Sequence, residues 1–158
     1  MQTLIPHLES VSETLYLVSQ EFTPEDDPDN IPLYPSLVAR TAWVSFIFQE
    51  SCRRTLLAVC HAMSICHLIL GKITSCAHHL SVGNRLTISS ALWEAESPLD
   101  FAIAWNEKNH FLVKDLNFTE VLRSADASDV DVFGRMIMVG LMGVDDVKGW
   151  LHSKGGKL

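Results

Sequence analysis

The stretch "SLVARTAWVSFIFQESCRRTLLAVCHAMSICHLIL", residues 36–70, runs for thirty-five residues without a proline or a glycine. Good helix formers dominate it, and Gly71 with Lys72 supplies a stop, so the stretch predicts one long helix or two joined by a slight bend. It is apolar enough for a core, yet Glu50, Arg53 and Arg54 sit in its middle. Helical geometry sorts them. At 100° per residue, Glu50, Arg53, Arg54, Cys60, His61 and Ser64 fall within an arc of about 100°, while Val44, Phe48, Leu56, Val59, Met63 and Ile69 lie opposite. The charges therefore form one polar stripe on an apolar rod. Glu50 precedes Arg53 by three residues and Arg54 by four, the favoured order for an intrahelical ion pair. Leu57 and Leu68 interrupt the stripe, which predicts that part of it faces protein, where an unpaired charge is costly.

Outward from this helix, the N-terminal segment repeats apolar residues at Leu4, Leu8, Val11, Leu15, Val18 and Phe22. Steps of four and three mark the seam of an amphipathic helix, and Pro6 places its start nearby. "TPEDDPDNIPLYP" (23–35) holds four prolines and four acids and reads as a loop or linker. "ITSCAHHLSVGNRLTISS" (73–90) is a poor helix and a fair loop with room for a short extended piece. Three helix starts follow. Ser97 caps Pro98 with Asp100 at the reach-back position, Asn117 pairs with Glu120, and Ser128 pairs with Asp131. They open helices at about 98–109, 118–124 and 129–142, and a last helix, about 144–152, ends at "KGG". The closing "KGGKL" reads as a disordered tail. Strand-like alternation is nearly absent. The fold class is all-α: about five to six helices around one long buried central helix. Residues 1–35 form an amphipathic helix plus an acidic Pro-rich loop, and residues 36–155 form the main helical domain.

The totals restrict function. A chain of 158 residues that is 47% hydrophobic is one ordinary domain with a core of its own. The net charge of −7 and the lack of a Lys/Arg-rich run argue against direct nucleic acid binding by this chain alone. Seven acids and no Lys or Arg precede Arg40, a bias that suits a solvated acidic face or a basic partner. The start "MQTLIPHLES" lacks the features of a secretory signal. The four cysteines, Cys52, Cys60, Cys66 and Cys76, are therefore expected to be reduced thiols, and the location nuclear or cytoplasmic. The apolar run 55–70 is sixteen residues long and includes His61 and His67. It is too short to span a bilayer, so no membrane association is expected.

Catalysis and metal binding both depend on residue spacing. There is no C-x-x-C, no H-E-x-x-H, no calcium loop, no G-x-S-x-G and no phosphate-binding glycine loop, so no metal and no cofactor are expected. Cys60–His61 and Cys66–His67 are neighbours in sequence, which do not face each other on a helix. Glu94, Glu96 and Asp100 decorate a helix start, where the macrodipole favours acids. Trp43, Trp93, Trp105 and Trp150 read as anchors between helices.

Three blocks carry a resemblance. "WVSFIFQESCRRTLLAVC" (43–60), "LWEAESPLDFAIAWNEKNHFLV" (92–113) and "DASDVDVFGRMIMVGLMGVDDVKGWL" (126–151) resemble, in order, motifs in the C-terminal regulatory region of fungal transcription factors of the binuclear zinc-cluster type. The resemblance covers roughly residues 36–155. It implies an α-helical regulatory domain. The family's six metal-binding cysteines, which read DNA, have no counterpart among the four cysteines here, and no basic linker or coiled coil accompanies them. Glu50, Ser51, Arg53, Arg54 and Thr55 match the family motif's own residues. They read as an ion-pair and hydrogen-bond stitch, or as a site where the two arginines meet a partner or a ligand carboxylate.

The leading expectation is a non-enzymatic regulatory domain that works through protein contacts, self-association included, or through small-molecule sensing, in control of a secondary-metabolite pathway. The alternative is a small helical biosynthetic accessory protein or enzyme. That reading needs a pocket for a small apolar ligand, lined by Trp93, Trp105, Met136 and Met138, with Glu50, Asp100 or His110 as acid or base. A third reading has the acidic residues 1–35 engage a basic partner.

Overall fold

In a computed structural model of the chain, the described residues are 4–20, 29–72 and 85–157. The apolar repeat of the N-terminal segment becomes α1 (Leu4–Gln20), with Pro6 in its first turn. Residues 36–69 form a single helix, α2 (Ser36–Ile69), which ends at Gly71, φ 68°. Beyond it run β1 (Arg85–Thr87), α3 (Ser90–Trp93), α4 (Pro98–Glu107), β2 (Leu112–Lys114), α5 (Thr119–Ser124), a 3-10 turn (Ala127–Asp129), α6 (Val132–Met142) and α7 (Val144–Ser153). The protein is predominantly helical. Phe22 and residues 73–84, including Cys76, His78 and His79, lie outside the described residues.

The strand pair is the main addition to the expected class. β1 and β2 are antiparallel, with Arg85, Leu86 and Thr87 opposite Lys114, Val113 and Leu112. Three residues are too few to show alternation, and all three of β1 are buried, so the period-2 signal never develops.

Three apolar clusters surround α2. Its C-terminal half packs Leu56, Val59, Cys60 and Met63 against Leu8, Leu15 and Tyr16 of α1. Its N-terminal half packs Ala39, Trp43 and Phe46 against Leu92, Phe101 and Trp105. Asn106 clamps the incoming chain there, since its side chain both accepts from Ile31 N, 2.9 Å, and donates to Ile31 O, 2.8 Å. The third cluster gathers Leu57, the strand pair and α5 to α7 around Val113, Val130, Met138 and Val147.

α2 is central, but only its inward face is buried: Ala39, Glu50, Arg54, Leu56, Leu57, Cys60 and Met63. The division of its faces differs from the sequence expectation. Val44, Phe48 and Ile69, assigned to the apolar side, are exposed, whereas Glu50 and Arg54 are buried.

The helix starts are partly as expected. Ser97 accepts from Asp100 N, with Pro98 at the first helical position. Asn117 accepts from Thr119 N, 3.0 Å. Ser128 is not the cap of α6. The segment Asp126–Asp129 closes its own 3-10 turn with a reciprocal capping box, and Asp131 caps α6 by accepting from Gly134 N. Ser128 lies inside that 3-10 turn, four residues before α6 begins, so Asp131, directly before Val132, takes the cap.

The closing segment is held through Lys157, not loose. Gly155 turns at φ 81°, Gly156 N donates to Leu151 O, 2.8 Å, and Ala127 N donates to Lys154 O, 3.3 Å. A Cβ on Gly156 would lie 2.3 Å from the Cβ of Ala127. Gly156→Ala should therefore cost about 1–3 kcal/mol by overpacking, read as a lower denaturant midpoint at unchanged m-value. A midpoint equal to the parent's would show that this contact does not hold the tail.

Candidate functional site

Arg54 is where the three sequence blocks meet. It lies near the middle of α2 and is buried, 6% exposed, as is Glu50 at 0% and Asp131 at 2%. Arg54 Nε donates to Glu50 Oε1, 3.4 Å. Its Nη2 donates to Thr87 O, 2.9 Å, and to Asp131 Oδ2, 2.5 Å. The face of the guanidinium lies 3.9 Å from the centroid of Trp93 and 5.1 Å from that of Phe133. Glu50 and Arg54 come from the first block, Trp93 from the second, and Asp131 and Phe133 from the third.

The surrounding groups complete the charge pairing. Arg53 Nη1 donates to Glu50 Oε2, 3.4 Å, and its Nη2 to Gln49 Oε1, 3.4 Å. Thr87 N donates to Glu50 Oε1, 3.0 Å. Asp131 Oδ1 accepts from Gly134 N, 2.7 Å, so one carboxylate caps α6 and holds α2 at once. Two carboxylates face two guanidiniums, and the cluster carries no net charge. That balance is what a buried ionic group requires, since a charge without its partner costs several kcal/mol in such a site.

Local sequence explains the arrangement. Helical spacing places Glu50 and Arg54 one turn apart on the same face. β1 presents a backbone N–H and a C=O to that face through the same residue, Thr87. The α6 terminus comes close because Gly134 has no side chain: a Cβ there would lie 2.9 Å from both Ile88 Cβ and Val130 Cγ1.

Burial raises the Glu50 carboxyl above the ordinary carboxylate range, and the Arg54 and Arg53 guanidiniums and the Thr87 amide offset this only in part. The folded state therefore holds the Glu50 proton more tightly than the unfolded chain does. The resulting stabilisation is fully present below the ordinary carboxyl pKa, about 4.3, and is lost as pH rises through the raised folded value. Compared with Glu50→Gln, the parent chain should gain melting temperature as pH falls through that window. A gap between the two that stays constant from neutral pH to about pH 4 would contradict the raised value.

The remaining candidate residues are dispersed. Ser51 is half-buried and Thr55 exposed, on the side of α2 away from the cluster. The rings of Trp105 and His110 are in contact at a tilt of 43°, centroids 4.2 Å apart, and His110 Nε2 lies 2.9 Å from Trp105 O. Trp93, by contrast, covers Arg54. Asp100 is an exposed helix-start acid that accepts from Ser97 Oγ, 2.6 Å. Met136 is exposed and Met138 is fully buried. Glu50, Asp100 and His110 thus each serve a different local partner, and the four proposed lining residues have different surroundings. Among the described residues, no group of three or more His, Cys, Asp or Glu could hold a metal ion, and Cys52, Cys60 and Cys66 are not in disulfide bonds. No described helix is long and apolar enough to cross a membrane.

Sequence reasoning missed Asp131 and the Thr87 backbone. One signal pointed to the first. Two arginines and one glutamate on a buried stripe leave a positive charge, which calls for a second carboxylate from elsewhere.

Comparison with known proteins gives one informative match. The chain is similar to a protein of Penicillium aethiopicum, transcription factor gsfR2: 28% identical over 137 residues, which cover 84% of this chain and 32% of that protein. The chain thus spans about a third of the length of the curated relative it matches. No protein-family model matches the chain, and no solved structure matches it. The relationship shown is transcription-factor-like.

Proposed function

We propose that this chain is a helical regulatory domain of the kind found in the C-terminal region of fungal zinc-cluster transcription factors, acting through protein contacts in control of a secondary-metabolite pathway. The observation that carries the reading is the similarity to transcription factor gsfR2 across 84% of the chain. The meeting of all three sequence blocks at Arg54 supports it, because it makes them parts of one packed unit. Glu50, Arg53 and Arg54 act in it as an internal stitch. A ligand carboxylate would have to displace Glu50 or Asp131 from guanidinium N–H groups already engaged with them, which favours protein contacts over sensing at the arginines.

The test is a tethering assay in fungal cells. The chain is fused to an unrelated DNA-binding domain and a reporter is read against that domain alone. A severalfold rise or fall is expected, together with loss of that effect in Arg54→Ala. Reporter output equal to that of the DNA-binding domain alone would refute the reading.

A further inference from the structure

The small sheet has one covered edge and one open edge. On β1, Thr87 N donates to Glu50 Oε1, 3.0 Å, and Thr87 O accepts from Arg54 Nη2, 2.9 Å, so α2 satisfies that side. In an antiparallel pair, opposite residues alternate between those that exchange backbone bonds and those that turn them outward. Thr87 lies opposite Leu112, and Arg85 opposite Lys114. Since Thr87 uses its N–H and C=O on α2, both of these pairs are of the outward kind. The N–H and C=O of Leu112 and the N–H of Lys114 therefore point away from β1, along the far edge of β2. Lys114 O accepts from Asn117 N, 2.9 Å. Leu112 and Lys114 are exposed, and Val113 between them is buried.

Two further features mark this edge. A groove of about 390 Å³ lies beside it, lined by Leu112, Lys114, Asp115, Asn117, Thr119 and Glu120, so β2 forms one wall and the start of α5 the other. The backbone is strained at both ends of β2. Among the described residues, the non-glycine positions with positive φ are Phe111, 48°, Asp115, 51°, and Leu116, 56°, one directly before the strand and two directly after it. Asp115 and Leu116 are the central residues of the turn that Asn117 N closes on Lys114 O. Positive φ at both central positions favours Asn and Gly, so leucine is held there against its own preference. Strain of this kind gathers where a backbone is kept in shape for a contact.

We propose that the open edge of β2 is a docking site for one extended, basic segment of a partner protein, which adds to the sheet as a third strand. Backbone donors and acceptors at strand spacing set the first property, because an extended chain satisfies them and a helix does not. An edge of three residues that carries a lysine resists sheet-to-sheet growth. A second β2 is therefore a poor occupant, and a single segment held by its side chains as well is a good one. Segment residues opposite Leu112 and Lys114 turn their backbone to β2 and their side chains to the groove. Charge sets the second property. The groove offers the carboxylates of Asp115 and Glu120 and the oxygens of Asn117 and Thr119, against the single ammonium of Lys114. Glu120 is paired with Arg123, whereas Asp115 forms no ion pair among the described residues. A lysine or arginine in the groove meets that carboxylate, and the net charge of −7 draws it in. The site rests on the regulatory reading above, to which it gives one concrete contact. Its test reads peptide binding alone, so the two fail separately.

The full chain is titrated with a blocked peptide of about seven residues that alternates valine and lysine, and its amide signals are followed by NMR. Saturable binding with a Kd on the order of 100 μM is expected, with the largest shifts at Leu112 and Lys114. The same peptide N-methylated on its lysines keeps its charge but loses the N–H groups that face β2, and should bind about tenfold more weakly. Lys114→Pro removes an outward N–H without touching the β1–β2 bonds and should weaken binding by a similar factor. It also removes a positive charge, so attraction by charge alone would tighten the basic peptide instead. Absence of saturable binding up to about 2 mM peptide overturns the proposal. So does an N-methylated peptide, or a valine–glutamate peptide, that binds as tightly as the first. So does a Lys114→Pro variant with parental circular dichroism that binds as tightly as the parent or more so. The peptide comparisons need no altered protein, so they decide the matter whether or not Lys114→Pro folds.

Discussion

Arg54→Ala lowers the unfolding free energy by about 3–5 kcal/mol, the cost of leaving buried carboxylates without their partner. Folded domains are stable by only about 5–15 kcal/mol, so the variant should be partly unfolded at moderate denaturant concentrations that leave the parent intact. The cause is specific. Glu50 and Asp131 are 0% and 2% exposed, and both accept from Arg54. Without it, Glu50 keeps Arg53 and the Thr87 amide, while Asp131 keeps the Gly134 amide. Two negative charges then share one guanidinium. The deficit should shrink in acid, because protonating either carboxylate removes the unpaired charge and the folded state of the variant takes up that proton more readily than the unfolded chain. Denaturant titrations of parent and variant at neutral pH and near pH 4.5 check both statements. A loss below about 1 kcal/mol at neutral pH would show that the cluster is not under tension from burial.

Phe101→Ala is expected to cost a similar amount, about 3–5 kcal/mol, by a different route. Phe101 is fully buried and its ring lies 5.0 Å from Phe46 and 5.5 Å from Trp105, centroid to centroid. Truncation removes apolar surface and leaves a cavity between α2 and α4 that these large rings cannot fill. Nothing titrates among these three residues, so the loss should be the same at both pH values. That contrast with Arg54→Ala separates a packing defect from an electrostatic one. Phe101→Leu should recover much of the loss, since it returns most of the apolar volume. Equal deficits for Ala and Leu would mean that the ring contacts, not the volume, hold this cluster.

Much of the local structure was readable from the chain. The run without Pro or Gly from Ser36 to Leu70 did become one helix, its stop at Gly71 was signalled, and Ser97 caps α4 through its neighbour Asp100. These outcomes depend on residues within a few positions of one another, where propensity and capping act directly. The Glu50–Arg53–Arg54 grouping was readable for the same reason: its members are one helical turn apart.

Which face of α2 would be buried was not readable. Phe48 and Val44 are more hydrophobic than Glu50 and Arg54, so a reading by hydropathy puts them inside. The fold reverses this. Asp131, seventy-seven residues beyond Arg54, and the backbone of Thr87 arrive at the charged stripe, and Trp93 covers it. Once every charge has a partner, that stripe can be buried, while Val44 and Phe48 on the other side stay exposed. Helix identity, length and caps were thus determined by the sequence alone, because they are short-range. The choice of buried face, the role of Asp131 and the strand pair were decided by tertiary structure, because each depends on which distant groups come together to satisfy a charge or a backbone hydrogen bond.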